Sequence, residues 1–136
     1  MPYLGPEWGR KALEALRSDP RVREAVQGIS VSVLTRVTGA AGRRYDWLYA
    51  SFDAGALADA SMGHDGDEAF AKLPAATFTI TGPYEVFAAI QRGELTEKRA
   101  VLSGRLHVRG NRLKAIRYMG PLETVTEVLA EIPCQT

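Results

Sequence analysis

The residues with chemistry to offer are few and scattered. His64-Asp65-Gly66-Asp67, with Asp59 and Glu68 nearby, is the one cluster with metal-ligand character. It lacks calcium-loop spacing and has no second histidine at helical distance. Asp and Gly are also what a tight turn prefers, so a polar loop is the expectation. His107 alternates with Arg105 and Arg109 on what reads as the wet face of a strand. Neither histidine stands beside a nucleophile, and no Gly-x-Ser-x-Gly elbow occurs. Gly39-Ala40-Ala41-Gly42-Arg43-Arg44 misses the phosphate-loop spacing, and a hairpin turn accounts for both glycines. Cys134 reads as an incidental thiol in a tail. The pattern predicts no catalytic residue, no metal site and no cofactor.

The bulk composition points the same way. At 136 residues the chain reads as one domain, residues 1–136, large enough for a real core. Seventeen basic residues against sixteen acidic ones leave a formal charge of +1. That balance predicts a mixed, solvated surface and no nucleic-acid partner, which normally needs a strongly basic patch. A lone cysteine forms no intramolecular disulfide, and no signal peptide or membrane-length apolar run is visible. A cytoplasmic protein with no integral membrane segment is the expectation.

The elements that must position any site follow from periodicity. Trp8, Ala12, Leu13 and Leu16 make one face of a helix, and Asp19-Pro20 starts a second that Gly28 ends. The period then changes to two. Ile29, Val31, Val33 and Val37 alternate with polar residues, a glycine turn follows, and Arg44 to Asp53 returns as an aromatic-rich strand. Ala56 to Met62 is a third strand, and Glu68 to Leu73 a helical turn. Thr77-Phe78-Thr79-Ile80-Thr81 alternates cleanly, Pro83 opens a helix closed by Gly93, and Glu97 to Leu102 is a short helix. Leu113 and Ile116 lie on a further helix, and Pro121 to Ile132 reads as a separate last one. The order predicts an α+β domain of two layers. Its mostly antiparallel five-stranded sheet is wet on one face and packed by helices on the other.

Two glycines six residues apart add a more specific signal. In Ala100-Val101-Leu102-Ser103-Gly104-Arg105-Leu106-His107-Val108-Arg109-Gly110-Asn111, a short strand sits between Gly104 and Gly110. With the preceding helices, this stretch resembles the sterol carrier protein 2 (SCP2) family, best over Ala75 to Met119. The resemblance implies helices packed around an apolar cavity, and non-enzymatic carriage of fatty acyl chains, sterol-like molecules or other lipids. It also implies the lining of that cavity. Phe78 and Ile80 would form its floor, with Phe87, Ile90, Leu102, Leu106, Val108, Leu113 and Ile116 around it.

A void of roughly 300 Å³ costs about 7 kcal/mol if left empty, against a total stability of about 5–15 kcal/mol. Any lipid-sized cavity is therefore filled by ligand or closed by side chains. Two other readings are open at this point. One is a small cone-shaped enzyme of the ketosteroid-isomerase type, with Asp46, Asp53 or Asp59 in the pocket at a raised pKa. The other is an accessory module that presents a lipidic substrate to a partner enzyme. The apolar stripe Leu122, Val125, Leu129 and Ile132 predicts a lid over the helical layer, a core helix, or a homodimer contact.

Overall fold

The computed structural model describes residues 1–136. Helices α1 (Pro6–Ser18) and α2 (Pro20–Ala25) lead into strands β1 (Val31–Thr38), β2 (Trp47–Asp53) and β3 (Ala56–Gly63). The one-turn helix α3 (Glu68–Ala71) precedes β4 (Phe78–Pro83), and α4 (Tyr84–Gln91) and α5 (Glu97–Leu102) follow. Strand β5 (His107–Gly110) and the long α6 (Arg112–Ala130) complete the chain. The sheet order is β3-β2-β1-β4-β5. Only the β1–β4 pairing is parallel, so the sheet is mixed and mostly antiparallel. The fold is α+β, as the element order implied.

Helices cover one face of the sheet, and their apolar stripes meet the inward strand residues in two clusters. Trp8 and Ala12 of α1 join Val37, Ile80, Phe87, Ile90, Ala100 and Leu106 in the first. Leu16 joins Val22, Val26, Val31, Phe52, Phe78, Val125 and Val128 in the second. The buried amide of Gln91 fastens α4 to the end of α6 by donating to the Leu129 and Ile132 carbonyls, at 3.1 and 2.9 Å.

Two features differ from the sequence reading. The second face of the sheet is not uniformly wet. Arg36 and Trp47 are cross-strand partners there, opposite in sense to the core residue Val37. Phe70 of α3 packs on the Trp47 ring at 5.8 Å between centroids, and the Arg36 guanidinium lies 4.9 Å above the Phe70 ring. A partial third layer thus covers Trp47. The second difference is that α6 runs unbroken through Pro121. Proline removes one backbone donor, yet Ala115, Tyr118 and Leu122 on both sides of it pack against the second cluster. Tertiary burial outweighs the lost hydrogen bond. With Val125 and Val128 inside that cluster, the C-terminal half of α6 is a core helix and not a lid.

The glycine-strand-glycine stretch is built as its spacing suggested. Gly104 takes φ +77° just past α5, and Gly110 takes φ +133° at the end of β5. A Cβ on Gly110 would stand 2.3 Å from the Thr77 carbonyl oxygen, so the close approach of β5 to β4 requires a bare backbone. Asn111 then caps α6, its side-chain oxygen accepting from the Leu113 and Lys114 amides at 3.0 and 3.2 Å.

Candidate apolar-ligand site

Besides a groove of about 380 Å³ between α1–α2 and β2–β3, lined by Leu16, Val22, Val26, Phe52 and Leu57, three small cavities of about 80, 70 and 60 Å³ lie between the helices and the sheet. The first is bounded by Phe78 and Ile80 of β4, Val108 of β5, Val101 of α5, and Ala115, Met119 and Leu122 of α6. The second lies among Tyr3, Leu4, Trp8, Val37, Phe87, Ile90 and Leu129. The third, bordered by Leu16, Val33, Phe52, Ile80, Leu122 and Val125, shares walls with both. Each alone is well short of the roughly 300 Å³ at which small-molecule pockets begin.

One polar residue borders all three cavities: Glu97, in the first turn of α5. Thr96 sets this turn, its hydroxyl accepting from the Arg99 amide at 3.2 Å. The Glu97 carboxyl is half-buried and takes no part in the ion pairs of the fold. Its one partner is the Thr126 hydroxyl, whose oxygen lies 3.0 Å from Oε2 and 3.1 Å from the Leu122 carbonyl. A hydroxyl has one proton for these two acceptors. A protonated Glu97 resolves the conflict: it donates to Thr126, and Thr126 donates to Leu122. Electrostatics agree. Burial pushes the Glu97 pKa up to about 7, opposed by the Thr126 hydrogen bond and helped by the neighbouring Glu123 carboxylate.

A second polar atom is exceptional. Trp8, only 2 % exposed, has no hydrogen-bond partner for its indole Nε1–H, and it lines the same second cavity as Glu97 and Thr126. Buried donors are rarely left unpaired. An underused acid and an unused donor therefore face the same apolar space.

The residues expected to line a pocket divide. Phe78, Ile80, Phe87, Ile90 and Leu106 are buried. Phe78, Ile80 and Val108 (36 % exposed) border the first cavity, and Phe87 and Ile90 the second. Leu106 is core but borders none of the three. Leu102, Leu113 and Ile116 are 70, 79 and 71 % exposed and face solvent. The reason is helical phase. On α6 the inward positions are Ala115, Met119 and Leu122, spaced at i, i+4 and i+7, and the larger Leu113 and Ile116 lie off that stripe. Sequence reasoning passed over Glu97, because an acidic residue after a capping threonine usually marks a solvated helix start. Nothing in the sequence marks it as half-buried.

The three carboxylates considered for catalysis lie elsewhere. Asp46 accepts from the Asp65 amide at 2.7 Å and faces His64 Nδ1 at 3.3 Å. Asp53 accepts from the Ser30 hydroxyl at 2.9 Å, and Asp59 is exposed. In the acidic loop Asp67 accepts from the His64 amide at 2.8 Å, which is turn chemistry.

Comparison with known proteins settles the family. The sequence profile of the SCP-2 sterol transfer family matches residues 11–123. This chain belongs to that family. A crystal structure of sterol carrier protein 2 superposes with a TM-score of 0.76 at 17% identity, covering 96% of this chain and 98% of the other. A conserved hypothetical protein of Thermus thermophilus, described as possibly a sterol carrier protein, gives 0.75 at 17% identity, with 99% and 92% covered. A protein described as the ubiquinone synthesis protein UbiJ-SCP2 gives 0.51 at 17% identity, with 93% and 92% covered. At such identities these likenesses establish the fold. No curated protein matches the sequence. The SCP2 fold is thus shared, and lipid binding and transfer are what the family is known for. No helix here is long and apolar enough to cross a membrane.

Proposed function

We propose that this SCP2 domain is a non-enzymatic carrier of an apolar ligand whose polar end is a neutral hydroxyl. The observation that carries the reading is that Glu97, which borders all three cavities, and the unpartnered Trp8 Nε1–H line the second of these mostly apolar spaces together. An end group that both accepts and donates suits an orphan donor and a carboxyl together. A carboxylate end in the second cavity would meet Glu97 with no Lys or Arg on the walls to offset it. Aliphatic or sterol-like bodies suit the remaining walls. Because the cavities are separately small, entry of a lipid requires α5 and α6 to part from the sheet, and binding repays that movement. Ten buried methylenes are worth about 8 kcal/mol before the costs of association. Affinity is therefore expected in the micromolar range.

Displacement of a fluorescent acyl probe by hexadecanol and by palmitate tests this directly. At pH 8 the alcohol is expected to compete about tenfold better than the acid, a difference of about 1.4 kcal/mol. Glu97→Gln narrows the gap. Absence of both co-purifying lipid and saturable probe binding rejects the carrier reading, and equal competition rejects the head-group preference alone.

The same carboxyl favours one second reading. An acid with a pKa near neutrality among apolar walls is also fit to move a proton on a bound lipidic substrate. Turnover of an unsaturated ketone that vanishes in Glu97→Gln would replace the carrier reading with this one.

A further inference from the structure

The net charge of +1 conceals a strong segregation. Between Lys98 and Arg117 the chain carries seven Lys and Arg residues and no Asp or Glu, leaving ten basic against sixteen acidic residues elsewhere. All seven are exposed, and none enters an ion pair. By contrast Arg10, Arg21, Arg36, Lys72 and Arg92 are all paired. The same stretch holds every exposed large aliphatic side chain of the fold: Leu102, Val108, Leu113 and Ile116. Exposed aliphatics set in unpaired cations are neither core nor ordinary surface.

The residues of α5 and α6 come together beside one cavity, whereas Arg105 and Arg109 alternate with the cavity-lining Val108 and lie on the other side of β5. The first cavity is walled by Lys98 and Val101 of α5, Val108 of β5, and Ala115 and Met119 of α6. Leu102 directly follows Val101, and Ile116 directly follows Ala115. Leu113 and Ile116 are three residues apart on α6 and so share one side of it. The exposed aliphatics are therefore chain neighbours of the walls of the cavity that Glu97 borders.

We infer that the α5–α6 face is a docking surface for an anionic lipid bilayer, with Leu102, Leu113 and Ile116 entering the interface and Lys98, Arg99, Arg112, Lys114 and Arg117 around them meeting lipid phosphates. Aliphatic tips that insert and basic residues that snorkel to head groups are the two requirements of interfacial binding. Other occupants fit less well. A nucleic acid would use the cations but gain nothing from exposed leucine and isoleucine, where stacking aromatics are the usual means. A second copy packed through the same face would oppose like charges across a two-fold axis. The inference goes beyond the carrier reading and concerns a different surface. It adds that the elements facing the membrane also wall the first cavity, so a ligand would pass between the two without crossing water.

Vesicle flotation tests it with no added ligand, so its failure would leave the carrier reading standing. Vesicles of phosphatidylcholine are compared with vesicles containing about 30% phosphatidylglycerol in about 0.1 M salt. The expected result is at least about tenfold greater partitioning onto the anionic vesicles, falling steeply at about 0.5 M salt. Leu113→Ser with Ile116→Ser, and separately Arg112→Gln with Lys114→Gln and Arg117→Gln, should each remove most of it. These positions are exposed, and unchanged thermal melts would confirm folding. Equal partitioning on both vesicle types, or variants that partition like the unaltered protein, would overturn the inference. So would a doubled mass by light scattering that Leu113→Ser with Ile116→Ser abolishes, or binding of single-stranded RNA by a protein that ignores anionic vesicles.

Discussion

Glu97 carries its proton to an unusually high pH because its surroundings are poor in water and its hydroxyl partner is shared. The linkage sign follows. Its pKa is near 4.5 when unfolded and about 7 when folded, so between these values the native state holds a proton that the unfolded state has lost. The protonated group therefore contributes its full stability below about pH 4.5, and this is lost as pH rises through about 7. The size is on the order of 2 kcal/mol after allowing for partial exposure. Denaturant melts should show stability falling between about pH 5 and pH 8, and Glu97→Gln should flatten that fall. A slope that persists in the Gln variant would place the titration on another group.

Among the elements, β5 and α6 are the ones whose local sequence and tertiary setting interact most. Gly110→Ala combines a positive φ with a steric contact against the Thr77 carbonyl, which nothing flexible can relieve. A loss of about 2–3 kcal/mol is expected in urea titration, larger than an ordinary surface substitution gives. Helix α6 poses the opposite case, a local signal overruled. Truncation after Gly120 would remove Val125 and Val128 from the second core cluster, so loss of cooperative folding is expected by circular dichroism. A truncated protein that still melts cooperatively would show that α6 is peripheral after all.

For the whole molecule, the relation between the cavities and the surface is what matters. Met119 borders the first cavity, whereas Leu102 is exposed to solvent. On the carrier reading Met119→Trp fills ligand space, and it should weaken acyl-probe binding by about tenfold with little change in stability. Leu102→Trp should leave binding in free solution unaltered, and on anionic vesicles its fluorescence should shift to the blue. Weakened binding in the Leu102 variant and not in the Met119 variant would move the ligand to a different wall.

The sequence by itself determined the alternation and the breaks. Thr77-Thr81 could only be a half-buried strand, Gly104 and Gly110 had to bracket β5, and α5 had to be short. Those features depend on backbone freedom and period-two patterning, which are local. It also held the charge segregation from Lys98 to Arg117, legible by counting along the chain and hidden only when charge is summed. Tertiary structure decided the rest. Whether Leu113 or Ala115 faces inward depends on the rotation of α6 about its axis, which packing against α2 and the other helices sets. Whether Pro121 ends a helix depends on what Tyr118 and Leu122 touch. Glu97 is an ordinary helix-start residue in the sequence, and only its burial in the folded chain lets it hold a proton up to about pH 7.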